Sequence, residues 1–318
     1  MTTDLPFPSF TRTWHNASYS SIDPSNPQLS AKGKKIVITG GGSGIGAEVA
    51  RSFARAGAAS IAILGRTKSN LLAVKDSVEA QYRDTSVIPI VMDVTDENSV
   101  CIAATRIKEE FGGWDVLVSN AGYCPPITRL GDSKTEDWFR GFEVNVKGSY
   151  LVAREFIPFA AERDAVLLNV SSGVCHVSPM AGVSSYAPSK LASNKFFEYV
   201  QDEHPHIRVT SIHPGVIKTE MGKQVIAAGK DVAVDDIDLA ANFILWAASP
   251  EAEFARGRML WSNWDVDELK AKASSIKKNS SLLTGSIDGW AAYFPKPNSS
   301  IFARIIAGFG VLDRPKYN

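Results

Sequence analysis

The sequence has few of the features that mark disulfide-rich, metal-binding or nucleic-acid-binding proteins. Its three cysteines are odd in number and form no CxxC pair, which argues against a disulfide framework or a structural zinc site. The five histidines show no HExxH or similar ligand spacing, so we expect no metal site. Lys plus Arg and Asp plus Glu each number 34, so the formal net charge is zero, and no basic excess favours nucleic acid.

The 318-residue chain also lacks segments that would direct it to a membrane or out of the cell. Its N-terminal segment has no basic stretch followed by an apolar stretch, so no signal peptide is predicted. No apolar run approaches the roughly 20 residues of a membrane-spanning helix. Hydrophobic residues make up 44% and charged residues 21%, which is a globular composition. We therefore expect a soluble, cytoplasmic protein without a membrane span.

Short apolar runs, mostly of β-branched residues, recur from residue 35 onward and alternate with helical patterns. The runs are apolar throughout, which indicates that helices cover both faces of the sheet. Strand and helix repeated in this order are typical of a parallel sheet with right-handed crossovers. The sequence therefore predicts one α/β domain, a doubly wound sheet of about seven parallel strands with helices on both faces. The predicted strands are residues 36–39, 61–64, 87–91, 116–118, 166–170, 209–212 and 259–260, and the predicted helices are residues 47–56, 70–82, 99–111, 138–159, 186–201 and 239–248.

Composition divides the chain into three parts. Residues 1–33 are rich in Ser, Thr, Pro and Asn, which predicts a loosely ordered N-terminal arm. Residues 34–276 carry the repeated strand and helix pattern of the main domain. Residues 277–318 form a C-terminal extension that contains an apolar run at 301–312. We expect this extension either to pack on the body or to cover the substrate pocket or an oligomer interface.

A glycine-rich turn, TGGGSGIG at residues 39–46, follows the first predicted strand and precedes a helical pattern. The start of a helix offers unpaired N–H groups and partial positive charge. Glycines let the backbone approach a pyrophosphate closely and adopt positive φ angles. In the first βα unit of a doubly wound sheet, this arrangement predicts dinucleotide binding.

Six further motifs follow this turn in order along the chain. They are DV at 93–94, SNAG at 119–122, NVKG at 145–148, SS at 171–172, YAPSK at 186–190 and PGVIKT at 214–219. Together with the TGxxxGxG turn they resemble the short-chain dehydrogenase/reductase family, in particular its fungal members, over roughly residues 33–262. Ser119 stands where the family has the first Asn of NNAG. The resemblance implies a Rossmann-type catalytic domain that uses a nicotinamide cofactor.

The end of the second strand indicates which nicotinamide dinucleotide binds. An acidic residue there accepts a hydrogen bond from the 2′-hydroxyl of NAD and repels a 2′-phosphate. This chain has Gly65 at that position, followed by Arg66, and arginine suits a phosphate. We therefore expect NADP(H) to be preferred over NAD(H), although Arg66 could alternatively stack on adenine or face water. The resemblance implies cofactor binding by Gly40, Ser43, Ile45, Gly46, Arg66, Asp93, Val94, Asn120, Gly122, Tyr186, Lys190, Ile217 and Thr219.

Tyr186 and Lys190 are four residues apart in a predicted helix and therefore lie on one face of it. A free tyrosine has a pKa of about 10, and a nearby ammonium group is expected to lower this pKa. Tyr186 can then act as general acid toward a ketone or as general base toward an alcohol. The resemblance implies that Lys190 also binds the nicotinamide ribose and that Ser172, with Ser171 as the alternative, holds the substrate oxygen. It implies further that Asn145 helps to hold a water beside Lys190.

The loop between Ser172 and Tyr186 is expected to form one wall of the substrate pocket. Its apolar members Val174, Val177 and Met180 favour a hydrophobic substrate, whereas His176 either contacts the substrate or is an ordinary loop residue. The resemblance places a substrate lid at residues 220–238.

These observations predict an NADP(H)-dependent oxidoreductase that interconverts a ketone and a secondary alcohol on a bulky hydrophobic substrate, in specialised metabolism. One alternative is an NAD-dependent alcohol dehydrogenase. Another is an enzyme of the same fold with a net non-redox outcome, such as an isomerase, epimerase or cyclase. The resemblance also implies a homo-oligomer, either a dimer or a tetramer.

Overall fold

The computed structural model describes residues 5, 7–228 and 234–286. It contains a seven-stranded sheet in the order β3-β2-β1-β4-β5-β6-β7, and all neighbouring strands are parallel. This architecture confirms the predicted doubly wound α/β fold. The strands are β1 (Lys35–Thr39), β2 (Ser60–Gly65), β3 (Ser86–Val91), β4 (Val116–Ser119), β5 (Ala165–Val170), β6 (Ile207–His213) and β7 (Arg258–Trp261).

The strands form where the sequence has continuous apolar runs. Every residue of β4, β5 and β6 is buried, because helices cover both faces of the sheet at its centre. Each predicted strand agrees with an observed strand to within two residues at either end.

Helices cover the sheet in two layers. The layer containing α1 and α8 packs through large side chains such as Phe53 and Trp246. The opposite layer, containing α3, α5 and α6, packs through Phe156 and Phe197 among others. The helices are α1 (Gly44–Arg55), α2 (Lys68–Gln81), α3 (Glu97–Phe111), α4 (Thr135–Phe142), α5 (Gly148–Phe156), α6 (Tyr186–Glu203), α7 (Glu220–Ala228), α8 (Ile237–Ala248), α9 (Val266–Ala271) and α10 (Ala273–Lys278).

The single helix predicted for residues 138–159 is divided in the structure. A π-helical turn, Glu143–Lys147, separates α4 from α5, and a 3-10 turn, Ile157–Phe159, follows α5. The residues flanking the π turn keep right-handed helical dihedral angles, so the apolar pattern does not reveal the interruption. The turn is important for the site because it carries Asn145.

The N-terminal arm is packed against the body from residue 7 onward, which differs from the loose order expected for it. It contains two 3-10 turns, Ser20–Ile22 and Pro27–Leu29, and the side chains of Ile22 and Leu29 are buried in the core beside α1 and α8. Trp14 pairs with Trp264 in an isolated antiparallel bridge. These apolar anchors lie within a polar stretch that shows no regular spacing, so the composition does not reveal them.

The first part of the C-terminal extension contacts the body. The backbone N–H of Met259 in β7 donates to the carbonyl oxygen of Leu283 at 2.8 Å, and the N–H of Gly285 donates to Glu198 of α6. Residues 287–318, which include the apolar run at 301–312, lie outside the described residues. Within the described ranges, no helix has both the length and the apolar character needed to cross a bilayer.

Substitution of Ile22 by Ala tests the packing of the arm. Because this side chain is fully buried, we expect a loss of about 2–4 kcal/mol in the free energy of unfolding, measured by urea denaturation. The matched control is Leu130→Ala at a side chain that is 69% exposed, which should change stability by less than about 0.5 kcal/mol. Equal stabilities for the two variants would contradict the observed burial of the arm.

Candidate active site

The glycine turn after β1 is open to an anion. Gly40 and Gly44 have φ angles of +67° and +53°, a region in which glycine is strongly favoured. Ser43 precedes α1, but its side chain makes no capping hydrogen bond to the helix. The first N–H groups of α1 therefore have no side-chain cap and can bind phosphate oxygens.

Asn120 fixes the end of β4 to this turn. Its Nδ2 donates to the carbonyl oxygens of Thr39 at 2.9 Å and Gly40 at 3.3 Å. The Thr39 hydroxyl accepts from the backbone N–H of Asn120 at 3.0 Å. A Cβ placed on Gly40 would lie 2.8 Å from Asn120 Nδ2, and one placed on Gly46 would lie 2.6 Å from the same atom. The contact therefore requires glycine at both positions.

One cavity of about 840 Å³ brings most of the predicted site residues together. Every predicted cofactor residue except Gly46 lines it, and so do three of the four predicted catalytic residues. Gly46 lies behind the turn, where its lack of a side chain allows the contact with Asn120. Asn145 is the catalytic residue that does not line the cavity. The residues that do are Gly40, Ser43, Ile45, Arg66, Asp93, Val94, Asn120, Gly122, Ser172, Tyr186, Lys190, Ile217 and Thr219.

The end of the cavity beside β2 and β3 is lined by basic and acidic side chains, Arg66 and Asp93 among them. Arg66 follows β2, is exposed, and makes no ion pair within the part of the chain that the structure describes. Burial disfavours the charged form of Asp93 and by itself would raise the pKa of this carboxyl group. Hydrogen bonds from Thr95, together with the positive charges of Arg140 and Arg66, outweigh the effect of burial and lower the pKa. Asp93 is therefore ionised at neutral pH, and Arg66 is available to an added anion.

Tyr186 and Lys190 occupy the opposite end of the cavity. Tyr186 is the first residue of α6, and Lys190 follows one turn later on the same face. The Lys190 Nζ lies 5.9 Å from the centre of the Tyr186 ring and donates a hydrogen bond to the carbonyl oxygen of Val170 at 2.9 Å. This bond uses one of the three ammonium hydrogens, so two remain for other partners.

Burial dominates the pKa values of this pair. Desolvation raises the pKa of Tyr186, and the hydroxyl of Ser172 opposes the rise through a hydrogen bond. Desolvation also lowers the pKa of Lys190 to about 8. The pKa of Tyr186 is therefore raised and not lowered as expected from the nearby Lys190, because burial of the phenol is the largest influence on it. At neutral pH the phenol is therefore protonated, and most Lys190 side chains carry a proton.

Asn145 lies one layer behind the cavity wall. Its Nδ2 donates to the carbonyl oxygen of Tyr123 at 2.8 Å and to the Ser189 hydroxyl at 2.9 Å, and its Oδ1 accepts from the Tyr123 N–H at 2.9 Å. The Ser189 hydroxyl in turn donates to the carbonyl oxygen of Tyr186. The side chain of Asn145 thus joins the turn after β4 to the start of α6.

His176 belongs to the wall of a second cavity, of about 810 Å³, and does not line the first. The Trp261 indole N–H donates to His176 Nε2 at 2.9 Å, so the ring hydrogen resides on Nδ1, which faces the Cys175 sulfur at 3.3 Å. Burial lowers the pKa of His176, which keeps the ring neutral. Met180 lines both cavities.

The second cavity includes residues that the sequence analysis did not assign to any site. Phe7 and Phe10 of the arm line it together with Trp261 and Trp264 of the segment around β7. The sequence gives little indication of a pocket here, because two phenylalanines in a polar arm form no regular helical or strand pattern.

Comparison with known proteins agrees with this geometry. The family model for short chain dehydrogenases matches residues 34–229. A short chain dehydrogenase/reductase of Claviceps purpurea is 36% identical over 282 residues, which cover 87% of this chain and 94% of that protein. The short chain dehydrogenase andI of Emericella variicolor is 33% identical over 285 residues, with 87% and 96% covered.

Solved structures of related fold support the same assignment. A short chain dehydrogenase from Pseudomonas syringae is 27% identical, with a TM-score of 0.69, and covers 77% of this chain and 98% of its own. A short chain dehydrogenase from Burkholderia cenocepacia, solved in complex with NADP, is 26% identical, with a TM-score of 0.67, and covers 74% and 99%.

Substitution of Gly46 by Ala tests the fit of the turn. The new methyl group would overlap the carbonyl oxygen of Gly40 and the side chain of Asn120, so the turn must move. We expect NADPH binding, followed by its fluorescence, to weaken by about tenfold or more, with a loss of about 1–3 kcal/mol in stability. The control is Gly131→Ala, whose added methyl group has no neighbour within 4 Å. Unchanged binding in the Gly46 variant would contradict the assignment of this turn.

Proposed function

The chain belongs to the short-chain dehydrogenase/reductase family, and on that premise we propose an NADP(H)-dependent oxidoreductase that interconverts a ketone and a secondary alcohol on a bulky hydrophobic substrate. The family acts on CH–OH and C=O groups with NAD(P). The observation that carries the proposal is one continuous cavity with the glycine turn at one end and Ser172, Tyr186 and Lys190 at the other.

The residues of this cavity fit a nicotinamide dinucleotide. The uncapped start of α1 suits the pyrophosphate, and the turn has no side chain at Gly40 to exclude it. When bound, the nicotinamide would supply or accept a hydride at the substrate carbon.

The side chains beside the substrate then handle the proton and the charge. In the reducing direction, Tyr186 donates its phenolic proton to the carbonyl oxygen. The raised pKa keeps this phenol protonated at neutral pH, as proton donation requires. Ser172 donates a hydrogen bond to the same oxygen. The positive charge of Lys190 favours the phenolate that Tyr186 becomes. In the oxidising direction, the same groups act in reverse.

The preference for NADP(H) rests on the end of β2. Gly65 leaves no carboxylate to bond with a ribose hydroxyl, and the exposed guanidinium of Arg66 lines the cavity. Arginine binds phosphate in a bidentate manner, so a 2′-phosphate supplies the partner that Arg66 otherwise lacks among the described residues.

A bulky apolar substrate is favoured by the walls around Tyr186. Val174, Met180 and Val183 line the catalytic end of the cavity, and Met180 also borders the second cavity, whose lining includes Phe7, Phe10, Trp261 and Trp264. Apolar walls with few polar groups bind ligands mainly through hydrophobic burial. A role in specialised metabolism is a hypothesis that depends on the likeness to fungal short chain dehydrogenases.

We also propose a homo-oligomer. Phe139 of α4, Tyr150 of α5, and Leu191 and Tyr199 of α6 are large apolar side chains that are between 42% and 60% exposed. Large exposed apolar residues on adjoining helices favour association between copies of the chain. A cytoplasmic location is expected as well, because the three cysteines are free thiols.

Substitution of Tyr186 by Phe tests the proton transfer. The ring is kept and only the hydroxyl is lost, so turnover of ketones should fall by about 10²–10⁴-fold while the Kd for NADPH changes little. Consumption of NADPH with a panel of bulky ketones is the measurement, and Tyr199→Phe on the exposed side of the same helix is the control. Activity that survives in the Tyr186 variant would refute the mechanism, and product formed without net NADPH consumption would favour a non-redox enzyme.

Substitution of Arg66 by Ala tests the cofactor preference. Loss of the charge-assisted bonds to the 2′-phosphate should raise the Kd for NADPH by about 10–100-fold and leave the Kd for NADH within about threefold. Arg83→Ala removes the same charge from an exposed residue beyond α2 and is the control. Equal changes for the two dinucleotides would contradict the proposed role of Arg66.

A further inference from the structure

A buried carboxylate, Asp235, joins three parts of the chain that are distant in sequence. Its side chain is among the buried polar groups at 6% exposure. Oδ1 accepts hydrogen bonds from Asn16 Nδ2 of the arm at 2.6 Å and from Asn263 Nδ2 after β7 at 2.9 Å. Oδ2 accepts from the backbone N–H of Val216 at 2.7 Å. Asp235 thus has three hydrogen-bond donors, each from a different segment.

Val216 belongs to the cofactor loop, residues 214–219, all of which line the catalytic cavity. The loop and the residues around Asp235 also pair through their backbones, because the Asp235 N–H donates to the Val216 carbonyl oxygen at 2.9 Å. Gly215 has a φ of +91°, and a Cβ placed on it would lie 2.6 Å from Asp235 Oδ2. The glycine therefore allows the carboxylate to reach the loop backbone.

The cofactor loop extends from the catalytic end of the cavity to the phosphate turn. A Cβ placed on Gly44, at the start of α1, would lie 3.0 Å from Thr219 Cγ2. A shift of the loop would therefore displace Ile217 and Thr219 relative to the catalytic end of the cavity and relative to the phosphate turn.

The backbone of the arm around Asn16 is fixed by three hydrogen bonds to the residues beside Asp235 and after β7. The His15 N–H donates to the Asn263 carbonyl oxygen at 2.8 Å, and Asn263 Nδ2 donates to the His15 carbonyl oxygen at 2.9 Å. The Asp236 N–H donates to the Asn16 carbonyl oxygen at 2.8 Å. Asn16 is thereby presented to Asp235 in a fixed position.

We propose that Asp235 is a positioning residue for cofactor binding and that Asn16 acts through it. The N-terminal arm thereby contributes to the affinity of the site for the cofactor. The proposal rests on the NADP(H) function argued above. Asn16, Asp235, Asn263 and the Val216 N–H form a carboxylate clamp that holds the cofactor loop in its binding shape.

The chemistry of the clamp calls for a carboxylate. Three N–H donors converge on two oxygens, and among the described residues no Lys, Arg or His forms an ion pair with Asp235. An amide at this position would have one oxygen and would direct its own N–H₂ group at a donor. Loss of the acceptor for a buried N–H costs more than the mean worth of a hydrogen bond, because the group remains desolvated.

Asp235→Asn, which keeps the size of the side chain, is the main test. We expect the Kd for NADPH, measured by its fluorescence well below the unfolding temperature, to rise by about tenfold. With an accepted ketone, the KM for NADPH should rise while kcat at saturating NADPH stays within about threefold. This split distinguishes a positioning role from general destabilisation, which would lower the amount of active enzyme and leave KM unchanged.

Asn16→Ala and the double variant test the role of the arm. Asn16→Ala should raise the Kd for NADPH by about threefold. The double variant should have the same Kd for NADPH as Asp235→Asn alone, because Asn16 acts through Asp235. Ser21→Ala is the control, because its hydroxyl also ties the arm to the body, through Asp267 at 2.6 Å, but lies outside the clamp.

Three results would decide against the carboxylate clamp, and a fourth would decide against the proposed function. An Asp235→Asn protein that is folded and binds NADPH within twofold of the unmodified chain would overturn the proposal. If the effects of the two substitutions on the Kd for NADPH add up in the double variant, Asn16 does not act through Asp235. If Asp235→Asn does not fold, the Asn16→Ala measurement decides alone, and an unchanged Kd there counts against the proposal. If the unmodified chain does not bind NADPH at all, the proposed function itself fails.

Discussion

The contact between Asn120 and the glycine turn joins the two halves of the sheet at the point where strand order reverses. β1 lies between β2 and β4, and the connections that follow β1 and β4 run in opposite directions, which opens a crevice at the carboxyl ends of these two strands. Asn120 spans this crevice by bonding to the carbonyl oxygens of Thr39 and Gly40. Its side chain fits because Gly40 and Gly46 have no Cβ, and Gly44 and Ile45 at the start of α1 line the cavity.

The fold and most of the cavity lining could be predicted from the sequence because their causes are local. Runs such as those of β5 and β6 are buried on both faces, and this burial leaves a continuous apolar pattern. The spacing of Tyr186 and Lys190 fixes their common face on α6, whatever surrounds them. The turn at residues 39–46 carries its glycines for reasons of backbone geometry, which are equally local.

Other features depend on partners far away in sequence and could not be predicted. Asn16 and Asp235 are 219 residues apart, and neither has a motif that would connect them. Asn145 lies close to the predicted site in the fold. Its side chain, however, projects from the π-helical turn toward Tyr123 and Ser189, one layer behind the cavity. The pKa of Tyr186 rises because the phenol is desolvated, and desolvation is a property of the folded environment that spacing along one helix does not contain.

A crystal structure of the chain with NADP⁺ bound tests the central claim most directly. We expect the pyrophosphate at the start of α1 beside residues 40–44, the 2′-phosphate within hydrogen-bond distance of Arg66, and the nicotinamide ring between the cofactor loop and Tyr186. We also expect Lys190 to reach the nicotinamide ribose while it keeps its hydrogen bond to the Val170 carbonyl oxygen. A dinucleotide bound elsewhere, or one whose nicotinamide lies far from Tyr186, would contradict the account.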